Sequence, residues 1–387
     1  MDISQAIAEK LRNLPPSPIR RFFDLVEGMP DAISLSIGEP DFVTPWGARE
    51  AAIFSLERGH THYTHSRGML ELRQEIARYL EKRFGLGYNP ETEILVTCGV
   101  SQALDLALRA LINPGDVVVV PEPCYVSYAP GVLLAGGELR TVATSAENGF
   151  ALTPELLETA APGAKALLFG YPNNPTGAVL DRAQLEGIAG VVRRRNLVVI
   201  SDEIYAELTY DGDHVSFASI EGMKERTVLL GGFSKAFAMT GWRLGYAAAP
   251  APVIDAMTRI LSYTMLCCPT PSQYAALESL KNGQREVARM REEYNQRRRI
   301  VLKRLRSMGL ELVEPKGAFY VFPSIARTGL SSTEFAERLL GEEKVAVVPG
   351  AAFGKSGEGH VRCCYAVSLE HIEEAMRRIG RFLEKIM

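Results

Sequence analysis

The stretch SKAFAMTGWRLGY, residues 234–246, places Lys235 directly after a serine and Arg243 eight residues later, among apolar and glycine residues. A lysine leaving an apolar strand in this way is either a snorkelling surface residue or an amine nucleophile held in a semi-dry pocket. Other polar residues fall at matching places. Gly99-Val100-Ser101-Gln102 follows EILVT at what reads as a helix start, and Tyr125 follows VVVVPEP. Asn174 follows KALLFG within the loop YPNNPTG, and Asp202 and Tyr205 follow LVVIS. Each has a plain alternative as a cap, a turn residue or a core aromatic. Gathered in one crevice, they form an anion site, a carboxylate, an amine and a set of aromatics. Pyridoxal phosphate chemistry needs that set. An amine forms an imine with the aldehyde, and a carboxylate keeps the pyridine nitrogen protonated. A helix N-terminus and an arginine bind phosphate, and an aromatic stacks on the ring. Lys235 is then the nucleophile and Arg243 the phosphate partner.

The elements that must position these residues are legible as an alternation. MLELRQEIARYLEKRF carries apolar residues at helical spacing (Leu72, Ile76, Tyr79, Leu80) and stops at Gly85. SQALDLALRALI reads as a helix ended by Pro114-Gly115, and VVVV (117–120) as a strand buried on both faces. A helix is expected from Tyr125 and a strand near Glu138–Val142; Thr153-Pro154-Glu155 and Asp181 mark two further helix starts. The runs 165–170, 197–201, 227–231 and 243–249 read as strands. Such alternation implies an α/β fold with a mostly parallel central sheet, and ligands then sit beyond the carboxyl ends of the strands. From about residue 280 the texture changes to one long charged helix, then short strands in AFYVFP, VAVVP and VRCCYAV and two more helices, an α+β pattern. We expect a large cofactor-binding α/β domain over 45–282 and a smaller α+β domain formed by 1–44 plus 283–387. PPSP at 15–18 reads as an extended arm.

Composition narrows the function classes. A chain of 387 residues with 47% hydrophobic and 23% charged residues is globular and large enough for two domains. A net charge of −3 makes no electrostatic case for nucleic acid or an anionic membrane. The start MDISQAIAEKLRN lacks a signal-peptide pattern, and no apolar run approaches the ~20 residues of a membrane span, so a cytoplasmic location is expected. The six cysteines include two adjacent pairs and no CxxC, which fits reduced core residues rather than a disulfide framework or a zinc site. His60, His62 and His65 lack the HExxH context of a metal site, so no metal is expected.

The sequence resembles the class I/II aminotransferases, fold-type I pyridoxal-phosphate enzymes, over essentially its whole length. Three motifs carry the resemblance in the usual order: YPNNPTG, SDEIYAEL and GFSKAFAMTGWRLGY. The resemblance implies that Lys235 is the imine lysine and the base that moves a proton between Cα and C4′. It implies that Asp202 holds the pyridinium, that Tyr205 and Asn174 bond the ring oxygen, and that Tyr125 stacks on the ring. Val100, Ser101 and Arg243 would bind the phosphate. Tyr63, in HYTHSRG, resembles a tyrosine that reaches the phosphate of the neighbouring subunit, which implies a homodimer. Arg362, in HVRCCYAVS, resembles the arginine that pairs with the substrate α-carboxylate, and Gly38, in LSIGEPDF, the backbone position beside it. One departure is visible. Many members place a serine three residues before the lysine, where this chain has Gly232, and Ser234 is the substitute candidate phosphate ligand.

The implied activity is transfer of an amino group between an L-amino acid and a 2-oxo acid, with 2-oxoglutarate as acceptor and pyridoxamine phosphate as the halfway form. A β-eliminating carbon–sulfur lyase would use the same lysine, aspartate and arginines. A DNA-binding regulator is disfavoured because only about 30 residues precede LSIGEPDF and no basic recognition helix is seen. A nicotinamide dehydrogenase is disfavoured because no GxGxxG follows a strand.

Overall fold

Apolar runs bounded by turn residues become strands here because each can bury both of its faces. The computed structural model describes residues 3–12, 14, 26 and 28–387. The extended arm expected at 15–18 lies outside the described residues. In chain order the strands are β1 Ile33–Ser34, β2 Ile94–Thr97, β3 Val117–Glu122, β4 Glu138–Ala143, β5 Ala164–Gly170 and β6 Val198–Asp202. They continue as β7 Thr227–Gly232, β8 Gly245–Ala248, β9 Tyr320–Val321, β10 Val345–Ala346, β11 Val348–Pro349 and β12 Val361–Cys364.

Seven of them form one sheet in the order β2-β8-β7-β6-β5-β3-β4. The pairs from β7 through β4 are parallel, while β8 is antiparallel to both β7 and β2. Because β8 runs backwards, its amino end lies on the same sheet edge as the carboxyl ends of the others. Residues alternate between two buried layers. Val119, Leu167 and Val199 pack with Leu185, Ile188 and Val192 of helix Arg182–Arg194. Val118, Leu168 and Ile200 pack with Leu104 and Leu108 of helix Gly99–Leu111 and with Met257 and Leu261 of helix Ala251–Thr264.

The remaining strands are short. β9, β12 and β11 form an antiparallel three-stranded sheet, and β1 pairs in parallel with β10. Tyr294, Val301 and Leu305 of helix Gln284–Ser307 share a core with Phe335 and Leu339 of helix Ser332–Glu343. Ile372, Ile379 and Phe382 of helix Leu369–Ile386 complete that core. The expected helix starts hold. Thr153 accepts a hydrogen bond from Leu156 N–H, and Asp181 closes a capping box with Gln184.

Three expectations are corrected. The helix expected from Tyr125 is Tyr128–Leu134, so Tyr125 sits in the turn between β3 and that helix. The strand expected over 243–249 begins only at Gly245, because Arg243 has φ 52 and breaks extended geometry. The run VAVVP splits into β10 and β11, one pairing with β1 and the other with β12.

Candidate active site

A cavity of about 670 Å³ opens at the sheet edge where the strands' carboxyl ends and the amino end of β8 meet. Its lining includes Gly38, Val100, Ser101, Tyr125, Asn174, Asp202, Tyr205, Ser234, Lys235, Arg243 and Arg362. Every candidate site residue but Tyr63 therefore comes together. Tyr63 does not line this cavity; it stands on the surface with 80% of its side chain exposed.

Lys235 follows the end of β7, and its Nζ donates to the Gly38 carbonyl at 2.7 Å. Tyr205 and Phe319 turn their rings toward the amine from 5.9 and 5.8 Å. Burial lowers its pKa from 10.5 to about 8, against weaker opposing pulls from Cys364 and Glu39. At neutral pH a useful fraction of such an amine is unprotonated and can act as a nucleophile or base.

Asp202 ends β6 and is buried. Burial raises its carboxyl to about 6, while hydrogen bonds from Tyr128 and from Ile204 N–H hold it from rising further. The Tyr128 hydroxyl donates to Asp202 Oδ2 at 2.9 Å, and Ile204 N–H to Oδ1 at 3.2 Å. Gly170 makes room for this pair, since a Cβ there would stand 2.3 Å from the Tyr128 hydroxyl. A buried carboxylate with no cation of the described residues at ion-pair distance suits a protonated ring nitrogen.

The anion end is built by close approach. Helix Gly99–Leu111 starts with φ 77 at Gly99 and presents first-turn N–H groups that no residue of the helix can satisfy. An added Cβ at Gly99 would reach Arg243 Nη2 at 2.7 Å, and one at Gly245 would reach Val100 N at 2.7 Å. Guanidinium and helix start thus face the same end of the cavity. Arg243 keeps its strained backbone there while Nη1 donates to Thr240 O at 2.8 Å. Ser234 lines the cavity and is buried.

Arg362, on β12, is only 2% exposed. Its Nη1 donates to Asn174 Oδ1 at 2.8 Å and its Nη2 to the Ser36 carbonyl. The guanidinium lies 4.4 Å from the Tyr320 ring centre and 5.0 Å from that of Phe353. Its Nε has no hydrogen-bond partner among the described residues. A buried guanidinium with neutral partners and an orphaned donor is complete only when an anion arrives.

Two residues were not singled out from the sequence. Tyr128, the second tyrosine of YVSY, orients Asp202. Tyr320 bonds Tyr205 hydroxyl-to-hydroxyl at 2.7 Å and covers the face of Arg362. Its signal was an aromatic inside AFYVFP, which reads equally well as core. Tyr205 accordingly points its hydroxyl at Tyr320 in this structure rather than standing alone.

These features fit pyridoxal phosphate: an amine of lowered pKa, a buried acid, an anion cradle and an orphaned arginine around one cavity. Comparison with known proteins points the same way. The signature of aminotransferase class I and II matches residues 30–379. An aspartate aminotransferase of Pyrococcus abyssi is 48% identical over 384 residues, 98% of this chain and 99% of its own. An aromatic-amino-acid aminotransferase of Thermococcus litoralis is 47% identical over 384 residues, with 98% and 99% covered. The solved aromatic aminotransferase of Pyrococcus horikoshii superposes with a TM-score of 0.90 at 48% identity, covering 94% of this chain and 99% of that one. Likeness of this depth, running nearly end to end through the motifs that line the cavity, means that the chain belongs to the class I and II aminotransferases.

Proposed function

We propose that this aminotransferase works through pyridoxal 5'-phosphate on Lys235, with an L-amino acid as donor and 2-oxoglutarate as acceptor. The carrying observation is Arg362, buried and, among the described residues, without a carboxylate partner and with an unsatisfied Nε, at the wall of the cavity that holds Lys235. When bound, pyridoxal phosphate supplies the aldehyde that takes the nitrogen and a ring that accepts the electron pair left at Cα.

The chain's own residues do the rest. Arg362 grips the α-carboxylate through its planar fork, with Asn174 and the Ser36 carbonyl fixing the guanidinium. Gly38 lends a backbone group beside that carboxylate. Lys235 removes the proton from Cα and delivers it to C4′. Asp202 keeps the ring nitrogen protonated, and Tyr128 keeps Asp202 in place. Tyr205 and Asn174 bond the ring oxygen, and Tyr125 stacks on the ring. Val100, Ser101, Ser234 and Arg243 hold the phosphate. Tyr63, exposed on each protomer, completes the phosphate site of a second copy in a homodimer. The choice of 2-oxoglutarate rests on family resemblance. The relatives' names divide between aspartate and aromatic amino acids, so the donor is to be found by screening.

The test is a half-reaction. Enzyme loaded with pyridoxal phosphate and given one amino acid, with no acceptor, should release one 2-oxo acid per site and stop. Added 2-oxoglutarate should restart it, giving ping-pong kinetics. Arg362→Ala should raise KM and lower kcat together, because the lost grip orients as well as binds. Continuous release of ammonia and oxo acid without an acceptor would replace this reading with β-elimination.

A further inference from the structure

Cys98 and Cys268 lie 170 residues apart in sequence, yet their sulfurs stand 3.6 Å apart and share a hydrogen bond. Neither thiol has a part in the chemistry derived above. Cys98 is the residue from which helix Gly99–Leu111 starts, one position before the first-turn amides at the anion end of the cavity. It is half-buried, while Cys268 is buried against it. We propose that Cys98 and Cys268 are a peroxide-sensitive thiol pair that closes to a disulfide and thereby loosens the phosphate cradle.

Cys98 is set apart from the chain's buried thiols by its surroundings. The Cys268 thiol, bonded to Cys98, lowers the Cys98 pKa against the opposing effect of burial, and the Arg243 charge adds to the lowering. A helix N-terminus favours the thiolate further. Burial raises Cys363 to about 12 and Cys364 to about 11, and it raises Cys124 as well. Those three are poor nucleophiles, and Cys268, raised by its hydrogen bond to Cys98 and by burial, acts only as the resolving thiol.

The step balances with hydrogen peroxide as oxidant. The Cys98 thiolate attacks one peroxide oxygen, the O–O bond breaks, and Cys98 becomes a sulfenic acid with loss of hydroxide, which takes up a proton as water. The Cys268 sulfur then displaces the second oxygen as water, its own thiol proton leaving with it. Two thiols lose two electrons and two protons, and one peroxide becomes two waters. A dithiol reverses the change.

Closing the bond must draw two elements together. On one side is the helix start, which is closely packed: a Cβ at Gly99 would meet the Arg243 guanidinium and one at Gly245 would meet the Val100 backbone nitrogen. On the other is the loop before helix Thr270–Asn282, tied to the segment that carries Tyr63. Gln273 donates to the Cys268 carbonyl at 2.9 Å and to Thr64 Oγ1 at 3.0 Å, and Thr270 Oγ1 donates to the His62 carbonyl at 2.9 Å. A displacement of Cys98 therefore passes to Val100, Ser101 and the neighbouring guanidinium rather than being absorbed locally.

The test uses the loaded enzyme treated with a small excess of hydrogen peroxide, then alkylated and digested without reductant. A peptide joining Cys98 to Cys268, two hydrogens lighter than the separate thiols and released by dithiothreitol, is expected. It should be absent in Cys268→Ser and present in Cys267→Ser. Both thiols remaining open to alkylation, or a link through Cys267 instead, overturns the pairing. The consequence, which rests on the phosphate reading above, is read separately. Oxidised wild type should release pyridoxal phosphate on dialysis several-fold faster than reduced, and peroxide should leave Cys268→Ser unchanged. A cross-link with unaltered release overturns the loosening. Failure of the phosphate reading itself would appear as pyridoxal phosphate release unaffected by Arg243→Ala in the reduced protein.

Discussion

An amine and a carboxyl are both held away from their ordinary pKa in this cavity, and each shift has a measurable consequence. Lys235 lies near 8, below its ordinary 10.5, because burial disfavours the ammonium. The native apoprotein then binds fewer protons than the unfolded chain between those two values, so stability rises with pH across that window. Lys235→Met removes the buried charge. The apo variant should be more stable than the apo wild type at pH 7 by about 1–3 kcal/mol, with the gain fading as pH approaches 10.5. Thermal melts of the two apoproteins at pH 7 and pH 10 check this, and a lower Tm for the variant at pH 7 would contradict it. Asp202 is shifted upward to about 6 by burial and restrained by the Tyr128 hydroxyl. Tyr128→Phe removes the restraint and lets the carboxyl rise. In the apoprotein the Asp202 carboxyl, followed by NMR, should then titrate at higher pH by about one unit. An unmoved titration would make Tyr128 a packing residue only.

Among the elements, helix Gly99–Leu111 and β8 depend on each other most closely. The first turn of the helix packs on Gly245 without room for a methyl group. The same crowding explains the glycine that departs from the family's serine. A Cβ at Gly232 would stand 3.0 Å from Val100 Cγ2 and 3.1 Å from both Gly245 Cα and Ile204 Cδ1. Gly232→Ser should therefore destabilise the protein by about 1 kcal/mol through overpacking and should not tighten phosphate binding. Urea unfolding and dialysis of the loaded variant test both halves. A variant that holds pyridoxal phosphate more firmly without loss of stability would show that the space is adjustable and that Ser234 is no substitute. At the opposite wall, β12 supplies Arg362 and β9 supplies Tyr320, paired so that Cys364 faces Tyr320 across the ladder. The short sheet thus sets the carboxylate grip against the long sheet's lysine.

For the whole molecule, Tyr63 stands exposed on the surface, as do Trp46, Phe54 and Tyr263 at 58%, 48% and 93%. In the proposed homodimer Tyr63 serves the partner's phosphate. Sedimentation of the loaded enzyme should give a dimer, and dilution below its dissociation constant should lower activity and release pyridoxal phosphate together. Tyr63→Phe should raise the dissociation constant for pyridoxal phosphate by about tenfold or less while leaving donor preference unchanged. An active monomer, or a Tyr63→Phe enzyme with normal retention, would refute the role. Among the described residues no helix is long and apolar enough to cross a membrane.

The sequence by itself determined the strand–helix alternation and the order in which chemical groups follow the strands. Both are local properties, since a run such as VVVV or KALLFG must be buried on two faces and the residue after it must emerge at the sheet edge. That was enough to mark Lys235, Asp202, Asn174, Tyr125 and Arg243 before any coordinates. The tertiary structure decided what depends on contacts between distant segments. Arg362 and Asn174 are 188 residues apart, and only folding shows that the arginine is buried with a donor left over. Tyr128 and Asp202 are 74 apart, and Tyr205 and Tyr320 115 apart, so no local pattern could separate these tyrosines from core. The reversal of β8 likewise had no local signal. An apolar strand reads the same in either direction, and only the sheet order shows that its amino end, with Arg243, belongs at the active-site edge.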